Sequence, residues 1–500
     1  MTLPSGRVVD YTRDAVRRVA SIDTEINGNP QTILSNIQYR GDNQMTQRTL
    51  GNGLVDAREY DLQGRLISQS LKDDTGTATY DERTYDYDRN SNVLSINTDY
   101  ENNAYSYDRL DRITGDTIDT NEPINFTYDQ NDNRLTRQAV LDTTTNVAIE
   151  EFFEHVVNTN RLSVVESVLA GENPIQNVPN RNLVYNNVGR LFQLIEEGTL
   201  KAEYIYNDEG QRTRKTVFQT DGITIESITI YHYDQMGYLV SESTETGDII
   251  KDYIWTEGMT PVAQIDNTLG LEQVLYLTTD HLMTNRIATD EFQSIVWRWE
   301  GEAFGNTPAE ELAGFSINLR FPGQYFDVET NLHYNWHRYY DPVLGRYITS
   351  DPIGLSAGIN TYVYVGNDPL SFIDIFGLDA TNWWNKEGGR SPTKDGPSNG
   401  NWGGKCWSGG QYSCGDSEPG TAPPTDSADE CYMYHDRCYV VCENDNICNR
   451  QECIDECDRE LVRCLRDLDN DPRNWPQPPN PGTEGDTKRY KWAAEKYFGE

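Results

Sequence analysis

The run YDYDRNSNVLSINTDYENNAYSYDRLDRIT, residues 85–114, decides the architecture. Tyr87-Asp88 and Tyr107-Asp108 each lead into a short, mostly polar stretch, then an arginine or polar residue and one or two apolar residues. Tyr-x-Tyr alternation (Tyr85/Tyr87, Tyr105/Tyr107) places two rings on one face of a strand, and Asp or Asn after the second ring is the residue type that closes a turn with its own side chain. Each unit therefore reads as strand, Asx-type turn, strand. The same unit recurs at Tyr60-Asp61, Tyr128-Asp129, Tyr185-Asn186, Tyr206-Asn207 and Tyr233-Asp234, with tyrosine spacings of 27, 20 and 21 in the first set and 21 and 27 in the second. One such hairpin cannot bury its apolar face alone, whereas stacked neighbours can, so residues 1–320 are expected to form a repetitive β-structure.

Composition agrees. The chain has 500 residues, 31 of them tyrosine, and a formal charge of -38. That length calls for more than one domain. The acidic balance argues against nucleic acid as a partner and against attraction to anionic lipid. No apolar run approaches a membrane span, and Met1-Thr2-Leu3-Pro4-Ser5-Gly6 lacks the charged and apolar regions of a signal peptide, so export is expected to need a dedicated machine or a larger parent chain. All nine cysteines lie between Cys406 and Cys464, which places the tail in an oxidising environment rather than around a cytosolic zinc ion, since paired CxxC knuckles are missing.

The Tyr-Asp units resemble the YD repeats of Rhs proteins, bacterial polymorphic toxins related to the C subunit of insecticidal Tc complexes. Tyr276 to Asp290, YLTTDHLMTNRIATD, is similar to a repeat near the end of such shells. Residues 323–378, GQYFDVETNLHYNWHRYYDPVLGRYITSDPIGLSAGINTYVYVGNDPLSFIDIFGL, resemble the Rhs-associated core almost throughout. The resemblance implies a mainly β YD-repeat shell over 1–320, closed by an autoprotease-like core over 321–378 and enclosing a variable C-terminal toxin. It also implies self-cleavage after Leu378, with Asp351 and Asp374 as paired aspartates and Arg346 as their neighbouring arginine. Two close carboxylates sharing a proton can serve as acid and base in peptide hydrolysis. Ile375 stands where the family usually has proline.

Beyond Leu378, residues 384–427 read as irregular loop and helical patterns follow at about 426–442 and 452–467. The pairs Cys431/Cys464, Cys438/Cys457 and Cys442/Cys453 have residue numbers with one common sum, the mark of two antiparallel segments. In each helix the three cysteines fall on one face, so three ladder disulfides are expected in place of a core too small to hold the tail. His435 is the one histidine after residue 378 and the natural general base. Asp458 is placed to orient it. Asp436 points elsewhere and suits a hard cation such as Ca²⁺, completed by carbonyls of the glycine-rich loop 400–410.

The stretch from Pro424 through Asp426, Asp429, Cys431, His435-Asp436, Cys438 and Tyr439, with Cys457-Asp458 and Cys464, resembles secreted phospholipase A2. That implies a small, disulfide-rich α-helical domain over 379–500 and hydrolysis of the sn-2 ester of membrane phospholipid. His435 and Asp458 would be catalytic and Asp436 the calcium carboxylate. Loop carbonyls would come from Trp402, Gly404 and Cys406, a choice favoured by likeness to bacterial relatives, or from Lys405, Trp407 and Gly409. The partners of Cys406, Cys414 and Cys448 stay open. The resemblances further imply a secreted or delivered effector acting at the target-cell membrane, an immunity protein, delivery machinery and a shell-closing partner. An alternative is a non-catalytic, disulfide-rich binding or membrane-perturbing module displayed on an adhesion shell; a zinc nuclease is disfavoured by the single histidine and the acidic tail.

Overall fold

The computed structural model describes residues 1–142, 147–155, 160–169, 181–256, 259–354 and 358–378, and beyond them only 407–408, 411–412, 431, 461, 463–468, 474 and 476. The chain divides into two compact units, Met1–Gly389 and Arg390–Glu500.

The first unit is built from antiparallel meanders. Among the described residues, fourteen strands, β1 (Asp10–Arg13) to β14 (Leu162–Leu169), form one sheet, and twelve more, β15 (Arg181–Tyr185) to β26 (Glu310–Glu311), form a second; in both, each strand pairs with the next in sequence. A four-stranded sheet follows: β27 (Tyr325–Asp327), β28 (Leu332–Asn335), β29 (Arg338–Asp341) and β30 (Arg346–Tyr347).

The Tyr-Asp pair has two separable jobs. The aspartate closes the turn: Asp88 Oδ1 accepts the backbone N–H groups of Asn90 and Asn92 at 2.8 and 2.9 Å, and Asp108 and Asp129 repeat the pattern. The residue three further on turns left-handed, as at Gly64 (φ 81°) and Ser91 (φ 70°), which explains the Gly, Asn, Asp or Ser near that position. The tyrosine fixes the spacing. Its hydroxyl reaches back to a main-chain carbonyl at the start of a strand in the preceding unit: Tyr87 to Leu66, Tyr107 to Val93, Tyr128 to Ile113 and Tyr206 to Leu191, at 2.6–2.7 Å. Phenylalanine would fill the same volume but leave that carbonyl without its donor.

The second sheet is a middle layer, so several of its strands do not alternate between buried and exposed. β20 (Leu239–Ser243) and β22 (Pro261–Asp266) are buried along their whole length. Val240, Ile254, Val274 and Tyr276 pack with Ile22, Leu34, Leu50 and Leu71 of the first sheet. Their sequence neighbours Leu239, Tyr253, Leu275 and Leu277 pack on the other side with Phe321, Tyr325, Tyr334, Tyr340, Tyr347 and Tyr364. Ion pairs stitch the first two sheets together: Arg7 meets Asp252 and Glu272 at 2.9 and 2.6 Å, and Arg137 meets Glu302 at 2.7 Å.

Residues 321–378, read from the sequence as a separate closure, share their core with the second sheet. Asp327 accepts from Arg212, held at 3.0 Å by one nitrogen, and from Lys215 at 3.0 Å, all at buried positions. The same segment is braced on the first sheet, where Asn360 donates to Asn131 O and Asn133 Oδ1 and Asn367 to Asp132 O.

In the second unit, Trp407–Ser408 and Gln411–Tyr412 form a two-stranded antiparallel ladder within a stretch expected to be irregular loop. Residues 463–466 are helical, inside the second expected helix.

Candidate active site

The β28–β29 hairpin turns through Trp336-His337, so that Asn335 and Arg338 sit directly opposite each other. The last described residues of the first unit lie along this turn. The His337 backbone N–H donates to Phe376 O at 3.3 Å, and its imidazole Nδ1 reaches the same oxygen at 3.0 Å. Arg338 Nε donates to Gly377 O at 2.6 Å, and Asn335 Nδ2 to Asp374 O at 2.7 Å. Gly377 is required here twice over. Its φ is 67°, and a Cβ would stand 2.3 Å from Asn335 O. Ile375 packs with Met259, Leu282, Met283 and Ile373, and Phe376 meets the Trp336 ring edge-on at 5.5 Å, so the tail is held by side chains as well as by its backbone.

This docking brings two carboxylates to one guanidinium. Arg338 Nη2 lies 2.7 Å from Asp351 Oδ2 and 2.9 Å from Asp374 Oδ2. The two carboxylate oxygens can thus be no farther apart than those two contacts laid end to end. Asp351 is fixed by its own turn, its Oδ1 accepting the Ile353 N–H at 3.0 Å. Asp374 Oδ1 accepts the Leu378 N–H at 3.0 Å, and Asp374 Oδ2 also accepts the Tyr347 hydroxyl at 2.6 Å. The guanidinium lies 3.6 Å from the Tyr347 ring centre. Asp351, Asp374, Arg338 and Tyr347 are all at most 4% exposed. Burial first, and then the adjacent Asp374 charge, push the Tyr347 phenol well above its usual range, so it stays protonated and donates.

Of the residues expected at a self-cleaving site, Asp351, Asp374 and Leu378 are therefore brought together, and Arg346 is not with them. Arg346 extends to His155 Nε2 (2.8 Å) and Asn160 O (2.6 Å) of the first sheet. The arginine that spans both aspartates is Arg338. Strand geometry explains the correction. Tyr347 pairs with Tyr340, which shares a face with Arg338, whereas Arg346 pairs with Asp341 on the opposite face. The motif holds two Arg-Tyr pairs, Arg338-Tyr339 and Arg346-Tyr347, and it is the one farther in sequence from Asp351 that meets the aspartates. Asn335, His337 and Tyr347 were missed altogether. The signal available was the hairpin pattern around Trp336-His337, which puts Asn335 beside Arg338.

In the second unit, Cys431 and Cys464 are joined by a disulfide with Cα atoms 5.8 Å apart. The other expected tail residues, His435, Asp458, Asp436, Trp402, Gly404, Cys406, Cys438, Cys457, Cys442 and Cys453, lie outside the described residues.

Antiparallel meanders of Tyr-Asp hairpins define a class of protein, and comparison with known proteins agrees on that class. The family model of the Teneurin YD-shell matches residues 44–370, and the chain belongs to this family. It is 26% identical over 436 residues to double-stranded DNA deaminase toxin A of Burkholderia cenocepacia, a match covering 75% of this chain and 29% of that protein. It is 38% identical over 122 residues to toxin protein Tse5 of Pseudomonas aeruginosa, covering 24% of this chain and 9% of the relative. Among solved structures, the Tc holotoxin pore of Photorhabdus luminescens superposes with a TM-score of 0.61 at 19% identity, over 77% of this chain and 21% of that one. The chain thus spans less than a third of the length of each, and the last likeness is one of fold.

Proposed function

We propose that this chain is a bacterial toxin shell that hydrolyses its own backbone after Leu378 and frees a C-terminal phospholipase A2-like domain, residues 379–500. The observation that carries the self-cleavage is the buried Asp351–Arg338–Asp374 trio with the Leu378 amide on Asp374. One aspartate takes a proton from water as its oxygen adds to the Leu378 carbonyl carbon. The other gives a proton to the Asp379 nitrogen as the C–N bond breaks, leaving a carboxyl on Leu378 and an amine on Asp379. Arg338 offsets the mutual repulsion of the carboxylates and, through Gly377 O, holds the peptide next to the bond that breaks. Intact mass of the purified protein tests this. Two fragments meeting at Leu378–Asp379 are expected, and a single chain for Asp374→Asn and Asp351→Asn. Cleavage persisting in either variant refutes the dyad.

The toxin reading is supported by relatives named as toxins that share the shell region. Their named activities differ; another relative, from Bacillus spizizenii, is called a tRNA3(Ser)-specific nuclease. That diversity fits a constant shell with an exchangeable cargo, so the cargo's chemistry is read from the tail's own residues. In the tail, His435 takes the proton of the attacking water and Asp458 holds the imidazole in the productive tautomer. Asp436 and the carbonyls of Trp402, Gly404 and Cys406 would hold a calcium ion, which would supply positive charge beside the ester carbonyl. The Cys431–Cys464 bridge is consistent with two helices laid side by side. Enclosure by the shell, a cognate immunity protein and a delivery machine complete the proposal. Release of lysophospholipid from vesicles is expected to require calcium and to vanish in His435→Ala; chelator-resistant release, or an active variant, removes this assignment.

A further inference from the structure

We propose that Tyr347, aimed by Asn335, is a positioning residue for the Asp374 carboxylate in the self-cleavage reaction; the inference rests on the dyad reading above. The hydrogen-bond directions follow from chemistry alone. Asn335 Nδ2 touches Asp374 O at 2.7 Å and Tyr347 Oη at 2.8 Å. A main-chain carbonyl only accepts, so this end of the amide is the NH₂ group, and it donates to the phenol oxygen as well. The Tyr347 hydrogen is then free to point at Asp374 Oδ2, 2.6 Å away.

Asp374 is thereby held by donors from three separate places. Tyr347 comes from β30, Arg338 from β29, and the Leu378 N–H from the tail that is to be cut. Arg338 could satisfy the carboxylate in more than one rotamer, because its Nη2 also serves Asp351. The Tyr347 hydroxyl cannot, since its ring is locked among Arg338, Tyr340 and Tyr364. Tyr347 thus fixes which oxygen of Asp374 stays on the arginine and which is left toward Leu378. Asn335 also grips the Asp374 main chain, so the carboxylate and the tail are set by one pair of side chains. No covalent step passes through the phenol.

The test uses the full chain made by cell-free synthesis and moved across a pH series. The ratio of intact chain to fragments is followed by mass. Tyr347→Phe keeps the ring stack and removes one donor. Loss of a hydrogen bond to a charged group is expected to slow cleavage by about ten- to a hundredfold and to move the acid limb of the rate profile upward by about one pH unit. Asn335→Ala leaves the phenol but frees its direction, and is expected to show a smaller change of the same sign. A wild-type rate and profile in Tyr347→Phe, with Asp374→Asn inert, overturns the positioning role and leaves the dyad standing. A uniform slowing with an unmoved profile assigns Tyr347 to packing and also overturns it. Cleavage after Leu378 in Asp374→Asn overturns the dyad and the positioning role together.

Discussion

Replacing Arg338 by methionine isolates the electrostatics of the site. The thioether keeps most of the stem that lies on the Tyr347 ring, while the charge shared by Asp351 and Asp374 disappears. Stranding a buried carboxylate by removing its partner costs about 3–5 kcal/mol. The lost bonds to Gly377 O (2.6 Å) and Thr361 O (3.2 Å) add about 1 kcal/mol each. Adding Asp374→Asn to this variant removes one uncompensated charge and keeps an acceptor for the Leu378 N–H. The double variant is therefore expected to be more stable than Arg338→Met alone, by about 2–3 kcal/mol. Neither protein cleaves itself on the proposed mechanism, so the two are directly comparable. Urea unfolding followed by tryptophan fluorescence reads the difference as an upward shift of the midpoint by about 1 M. A double variant that is equally or less stable than Arg338→Met refutes the reasoning, since it would mean that the two aspartates do not depend on this arginine.

Gly377 and Asp116 give two further outcomes. Gly377→Ala is expected to undock the tail and abolish self-cleavage, because φ is 67° and the new Cβ would meet Asn335 O at 2.3 Å; limited proteolysis should then cut within 373–378 in an otherwise folded shell. Asp116 gives a pH dependence of defined sign. Burial pushes its carboxyl up to about 7, with the Ala303 N–H pulling in the other direction. Its folded form therefore holds a proton more tightly than its unfolded form, so its favourable contribution is complete below about pH 4 and is lost as pH rises to about 7. The loss is at most about 4 kcal/mol, and Asp116→Asn should flatten stability between about pH 4 and 7, as read by urea midpoints. Parallel pH curves for variant and wild type would refute this origin.

The repeat architecture was legible in the chain itself because its causes are local. An Asp or Asn closes the turn next to it, and a tyrosine two residues from another shares its face, whatever the rest of the protein does. The meander order, with each strand beside the next, follows from turns this short. The C-terminal end of the shell was legible in part. Asp351, Asp374 and Leu378 stood out by family likeness, and they do converge. Arg346 does not join them, because the face a strand residue occupies depends on register, and register here is set by the hairpin at Trp336-His337.

How far-separated segments meet is settled by packing. Strand β20 is buried on both faces because the closing segment covers one side and the first sheet the other, a fact no two-residue period in that strand announces. In the same way Asn335, Arg338 and Tyr347 gain their roles only when residues 374–378 fold back onto the hairpin. A sequence carries turn chemistry residue by residue. The partner of a buried charge is chosen by packing, which brings together groups that the chain keeps tens of residues apart.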